Sequence, residues 1–559
     1  MTVQKKLFHV FRPKSNIRRR DSRAHLLESN VSIQADYDQD VNRNHLLDNN
    51  TFNTNTEHNL HSHLQEDEML QELAGLLRVP LTAASCFPVD GCSSQTPESN
   101  VEQHRKACVN HLIQISAAKR LPEPPADPDQ DLQQHLSHLQ EAVCNELIRL
   151  APALEAKGLM GQVVQCYHCQ IFNHLDCLLL KVNSFKNCLT LMDWVLKTYL
   201  SQDMLGHPDL REMDPIKHVD ILLLSEWGVK AKNKLLEKAQ EEMRVQLENI
   251  LQHHRQQDVC DGNTDEAFVQ TYVDAIGCIA AMPRNAQRIS SKLSYEVKEV
   301  GFQELHIFVE RYREEQTKVL KKMEKTDKLE MIQFFKTLKT CQELKKHIQT
   351  EGEEISSSLC KEILEMLKKI EDLTLELLRG VVTKVAKKHL QCYFQSNKQQ
   401  FVLLIDSVSR MFPRLENCDE VRQTVTLEVC KILVHSYIKY LLKTKVKKLQ
   451  RCWNPDVGEA VSKDAGWFHA IMSDLAPGVQ EWSNKMKKIE EVLDCSDINA
   501  LKLIVAAMQK DSLIASEDLH RLLRWKGLSK RDVREVLDAI CDDYNPGASS
   551  RAWCSCLGS

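Results

Sequence analysis

Apolar residues recur at three- and four-residue steps through most of the chain from Asp131 onwards, the spacing of one face of an α-helix. Leu132, Leu136, Leu139, Val143, Leu147 and Leu150 step regularly towards Gly158. Leu189, Met192, Val195, Leu196 and Tyr199 form the next stripe, with Gly206-His207-Pro208 placed to end its helix. Ile221, Leu224, Trp227, Leu235, Met243, Leu247 and Ile250 predict a long helix from about Asp220 to Gln257, and the polar run VCDGNTDEA separates it from the next rod. Beyond Pro283, Ile289, Leu293, Val297, Val300, Phe308 and Tyr312 lie on one stripe, and the dense Lys/Glu alternation around them suits a solvated outer face. Two more helices are predicted in MIQFFKTLKTCQELKKHI and CKEILEMLKKIEDLTLELLRGVVTKVAKKHL, divided by polar TEGEEISSS.

The last block, Val421 to about Ile540, opens with VRQTVTLEVCKILVHSYIKYLLKTKVKKLQRCW. Val425, Val429, Ile432, Leu433, Tyr437, Tyr440 and Leu441 keep helical spacing there. An unbroken helix of roughly 28 residues at this point would be a rod of ~40 Å. Further on, Gly527 is placed to close a helix, and Ser529 with Asp532 makes a capping-box-like start to the next. Convincing period-two strand runs are absent, and no fixed-period repeat is visible. The pattern predicts an all-α chain, an elongated rod of consecutive helical bundles over 129–545, with 546–559 as a flexible tail.

Residues 1–128 read differently, as a largely disordered region. At the start, 1–23 carry Lys5, Lys6, Arg12, Lys14, Arg18, Arg19, Arg20 and Arg23 against one acid, Asp21, with Leu7, Phe8, Val10 and Phe11 interleaved. Basic residues beside apolar ones suit an anionic membrane surface, at about 1 kcal/mol per charge. A targeting signal or a solvated tail would share the pattern. Residues 24–64, rich in Asn, Asp and His, have little to bury. A short amphipathic helix is predicted over 66–79, with Leu70, Leu73, Leu76 and Leu77 on one side. It would pack back onto the rod or serve as a leucine-rich docking or nuclear-export-like motif. Pro80, Pro88, Gly91 and Pro97 interrupt the chain, a modest helix comes next at about 101–119, and LPEPPADPD forms a stiff linker.

Composition supports this picture: 17 glycines in 559 residues and 6% aromatics, with abundant Leu, Lys, Glu and Gln. The formal net charge of −5 argues against a globally basic nucleic-acid binder. No apolar run approaches the ~20 residues needed to span a bilayer, and no secretory start is present. The 20 cysteines, scattered singly along helical patterns, read as reduced thiols of a cytoplasmic protein.

Phosphate-loop, dinucleotide, zincin and nucleophile-elbow motifs are absent, so neither a catalytic residue nor a cofactor is expected. Cys166, Cys169, His174 and Cys177 approach a zinc-knuckle spacing. Four ligands on one continuous helix fan around its axis and cannot converge on a tetrahedral ion, so no metal site is expected there. Lys443, Lys445, Lys447, Lys448 and Arg451 form a second basic run. It would oppose the dipole of the preceding helix or contact an anionic lipid or acidic partner. The chain ends Cys556-Leu557-Gly558-Ser559, a C-a-a-X register for lipidation at Cys556, with Gly558 where an aliphatic residue is usual.

Four stretches carry a resemblance: WVLKTYLSQDMLGHPDL at 194–210, ISSKLSYEVKEVGFQELHIFVERYREE at 289–315, KILVHSYIKYLLKTK at 431–445, and LHRLLRWKGLSKRDVREVL in the closing block. In order and spacing they resemble the family of the third exocyst subunit, in its M-Sec-like branch, from about Asp131 to Ile540. The resemblance implies a vesicle-tethering rod without catalysis, active in exocytosis or membrane protrusion through exocyst subunits, SNAREs and Ral-type small GTPases. It also implies phosphoinositide contact through the basic residues of 1–23, at the cytoplasmic side of the plasma membrane. A helical adaptor for GTPase or cytoskeletal partners, independent of the exocyst, is the alternative.

Overall fold

The computed structural model describes residues 97–155, 158–257, 265–325, 331–353, 355–394, 400–413, 418–445, 447–449, 457–510 and 516–544. All regular structure among them is helical. The described residues belong to two compact units, one within 1–242 and 282–297, the other within 243–281 and 298–559.

The first unit begins with α1 (Pro97–Arg120), α2 (Pro128–Glu155) and α3 (Met160–Lys181). α1 buries Val109, Ile113 and Ala117, a single helical stripe. Gly158, at φ +65°, makes the left-handed turn between α2 and α3, a conformation costly for residues with a Cβ. α3 buries Val163, Tyr167, Ile171, Leu175 and Leu178 at the three- and four-residue steps of its core face. Asp129, in the first turn of α2, accepts hydrogen bonds from the Asn183 main chain and the Asn187 amide. It thereby ties α2 to the start of α4 (Phe185–Asp193), whose first turn Ser184 caps through Asn187 N–H at 3.2 Å.

The stripe ending at Tyr199 stops earlier than Gly206-His207-Pro208 predicts. α4 passes into one π-helical turn, Trp194–Thr198, in which Tyr199 N–H bonds back to the Trp194 carbonyl. That wider turn lets the buried Tyr199 hydroxyl meet His168 Nδ1 at 2.7 Å. Gly206 and His207 lie in the turns beyond, before a short 3-10 turn at Pro208–Leu210.

α5 (Ile221–Gln257), with the boundaries its stripe predicts, and α7 (Ser291–Lys325), which comes after α6 (Asp265–Ala286), each contribute residues to both units. Within the second unit, the Arg244 guanidinium forks onto the buried Glu304 carboxylate at 2.9 and 3.1 Å. Removing Arg244 would strand the buried Glu304 carboxylate, so the pair is costly to break from that side even where its net contribution is small.

The second unit continues with α8 (Met331–Glu351), α9 (Ser357–Tyr393), α10 (Gln400–Arg410), α11 (Asp419–Lys443), α12 (Val457–Met472) and α13 (Val479–Asp494). α14 (Ile498–Lys510), α15 (Ser516–Lys526) and α16 (Lys530–Tyr544) complete it. One continuous apolar core joins Phe334, Leu378, Phe401, Leu433, Phe468, Ile489 and Leu522. The closing pair is built as its residues predict. Gly527 sits at φ +104°, Asp532 N–H bonds to Ser529 Oγ, and Ser529 N–H returns to the Asp532 carboxylate.

The single rod expected from Val421 to Trp453 is interrupted. α11 ends at Lys443, and Thr444 is extended at φ −90°, ψ 133°. A β-branched residue begins the break, lysines crowd within it, and burial of Leu449 draws the chain back onto the core.

Candidate interaction surface

The second basic run lies on this break. Lys443 is on the last turn of α11, and Lys445, Lys447 and Lys448 come after it, all exposed. Helix geometry extends the run backwards: Lys431, His435, Lys439 and Lys443 form one four-residue row on α11, and the three lysines are exposed. No acidic residue occurs between Glu428 and Asp456. Several lysines elsewhere in the unit are paired, as in Lys346–Glu420, Lys463–Glu459 and Lys502–Glu535. Among the described residues, none of Lys431, Lys439, Lys443, Lys445, Lys447 and Lys448 has a carboxylate partner.

α15 adds charge that the sequence did not place here. The Trp525 ring N–H donates to the Thr444 carbonyl at 2.7 Å. One end of α15 is therefore fastened to the end of α11. At the other, Asp518 is near enough to influence the His435 imidazole, whose pKa is lowered chiefly by burial and by Lys431 and Lys485. Arg521 and Arg524 are exposed on α15, the helix that Trp525 fastens to the end of α11. Arg521 pairs with Asp518 at 3.3 Å, and Arg524 donates to the Leu528 carbonyl, leaving its charge unneutralised by that contact. Lys526 turns inward to the Leu493 carbonyl at 2.6 Å, and burial lowers its pKa.

Behind this surface a buried polar clamp fixes α12. Tyr393 and Tyr437 both donate to one oxygen of Asp464, at 2.5 and 2.6 Å. Burial raises the Asp464 pKa to about 6, against the opposing pull of the two hydroxyls, and both tyrosine pKa values are raised by burial and by Asp464. The group is enclosed by core side chains and holds helices together.

In the first unit, Cys166, Cys169, His174 and Cys177 all lie on α3. His174 turns across to α2 and meets His135, Nε2 to Nε2, at 2.7 Å. Burial, with His135 and Lys181, pushes the His174 pKa down to about 4. Among the described residues no three His, Cys, Asp or Glu side chains are grouped to hold a metal. A cleft beside the start of α3 is lined by Gly161, Gln162, Glu212, Lys217, His218 and Asp220. Two of its charged groups are engaged: Lys217 pairs with Asp214 at 3.0 Å, and Asp220 caps α5 through Leu222 N–H at 2.9 Å. The His218 ring fills the space a side chain at Gly161 would need.

The basic head Lys5, Lys6, Arg12, Lys14, Arg18, Arg19, Arg20 and Arg23, the segment 66–79, Arg451 and Cys556 lie outside the described residues. No helix among the described residues is long and apolar enough to cross a membrane.

No protein-family model matches the chain, and no curated protein matches its sequence. Among solved structures, the crystal structure of M-Sec is similar, with a TM-score of 0.57 and 17% identity over 86% of this chain and 84% of that one. At that identity the likeness concerns the fold: the chain is a distant structural relative of M-Sec.

Proposed function

We propose that this protein is a non-enzymatic, exocyst-related tethering or scaffold protein, acting in exocytosis, vesicle docking or plasma-membrane protrusion. The observation that carries the reading is the M-Sec-like helical fold along most of the chain. It is supported by exposed lysines gathered in an interval that holds no acidic residue. The basic head, Lys5 to Arg23, contacts phosphoinositide at the cytoplasmic face of the plasma membrane. Exocyst subunits, SNAREs and Ral-type small GTPases are the partners that the four resembling stretches imply.

Flotation of the full chain with vesicles containing phosphatidylinositol bisphosphate tests the membrane part. Binding should depend on the eight basic residues of 1–23 and weaken as salt is raised. Equal binding after their neutralisation would remove that contact from the account. The second reading is a helical adaptor for GTPase or cytoskeletal partners outside the exocyst, and the same exposed charge would serve it.

A further inference from the structure

We infer that the second unit carries an anionic-bilayer contact of its own, formed by the lysine row of α11, Arg521 and Arg524 of α15, and Lys445, Lys447 and Lys448. The inference goes beyond the proposed function, because it requires neither the N-terminal head nor any tethering partner.

Charge has been segregated at this place. The interval between Glu428 and Asp456 holds Lys431, Lys439, Lys443, Lys445, Lys447, Lys448 and Arg451 without an acid, in a chain whose acidic residues outnumber its basic ones, 78 to 73. The Trp525–Thr444 bond then holds α15, with its exposed Arg521 and Arg524, against the end of α11. Apart from Arg521, which pairs with Asp518, the described charges of this set are exposed and without described carboxylate partners; like charges so placed repel one another, and an external anionic surface relieves that repulsion.

The side-chain types select among polyanions. A protein partner would ordinarily find an apolar or aromatic centre to bury. Among the described residues, the exposed large hydrophobic side chains of this unit, Val245, Val273, Leu403, Trp467 and Leu503, all lie on helices other than α11 and α15. Lysine supplies most of the charge, and its ammonium is a mobile point charge on a flexible stem. That suits laterally mobile lipid headgroups better than the fixed phosphate ridge of a nucleic acid, which favours arginine forks and stacking aromatics.

The test uses the full chain with its eight head residues changed to Gln, so that only this surface is read. Sedimentation with phosphatidylcholine vesicles containing phosphatidylserine should show binding that weakens with salt. Adding Lys439→Gln, Lys443→Gln, Lys445→Gln and Lys447→Gln should lower the partition coefficient by up to roughly a thousandfold, from the contribution of each charge near an anionic surface. All four side chains are exposed, and an unchanged thermal melt confirms that the variant is folded. No binding by the head-neutralised chain, or equal binding after the four changes, overturns the inference. So does tighter binding to duplex DNA or RNA than to vesicles. Binding of soluble inositol hexakisphosphate as strongly as of vesicles at matched phosphate would indicate a confined phosphate site and also overturn it. Undiminished vesicle binding by the head-neutralised chain would count against the head's role alone and leave this surface supported.

Discussion

Trp525 donates its ring N–H to the main-chain carbonyl of Thr444 at 2.7 Å, across 81 residues of sequence. The bond satisfies a carbonyl where α11 stops and seats α15 beside it. Trp525→Phe keeps most of the ring and removes the donor. It should cost about 1 kcal/mol, the usual net value of a hydrogen bond. Hydrogen exchange should report the loss as faster exchange in α15 and α16, with α2 and α3 unchanged.

Asp464 should make the second unit more stable in mild acid. Its pKa is raised from 3.8 to about 6, so the folded state holds the proton more tightly than the unfolded state does. The associated stability is fully present below about pH 4 and is lost as pH rises through 6. Asp464→Asn keeps an acceptor for Tyr393 and Tyr437 and removes the titration. Relative to the parent, the Asn variant should gain stability between pH 4 and 7 by about 3 kcal/mol at most. Urea midpoints of the two proteins at both pH values check this.

His174 acts with the opposite sign in the first unit. Its pKa is lowered from 6.5 to about 4, so the unfolded chain takes up the proton first as pH falls. Stability from the His135–His174 contact is therefore present above pH 6.5 and declines towards pH 4. His174→Gln should flatten that decline, read as amide exchange of α2 and α3 against pH.

Gly458 and Asp494 should prove strongly coupled. A Cβ at Gly458, in the first turn of α12, would collide with an Asp494 carboxylate oxygen. Gly458→Ala should destabilise by about 1–3 kcal/mol by overpacking. In the Asp494→Ala background the obstruction is gone, and the same change should cost much less. A double-mutant cycle measures the difference.

The helical class was legible because apolar spacing reports it directly. α5 and the Ser529–Asp532 cap are set by local residues alone. The features that escaped depend on distant partners. The carbonyl at the Thr444 stop is met by Trp525, the Tyr199 hydroxyl beyond the π turn by His168, and His174 found its partner on another helix in His135. Lys443, Lys445, Lys447 and Lys448 stood out because they are clustered in sequence. Lys431 and Lys439 are spread at helical intervals, and Arg521 and Arg524 sit far along the chain from all of them. An acid-free interval spanning several helical turns was the available signal for the first pair; nothing local marked the second.

Affinity purification of the full chain from cells, with partners identified by mass spectrometry, tests the tethering account most directly. The account predicts recovery of exocyst subunits at levels comparable to the bait. Recovery of GTPase or cytoskeletal partners with exocyst subunits consistently absent would contradict it and favour the independent adaptor.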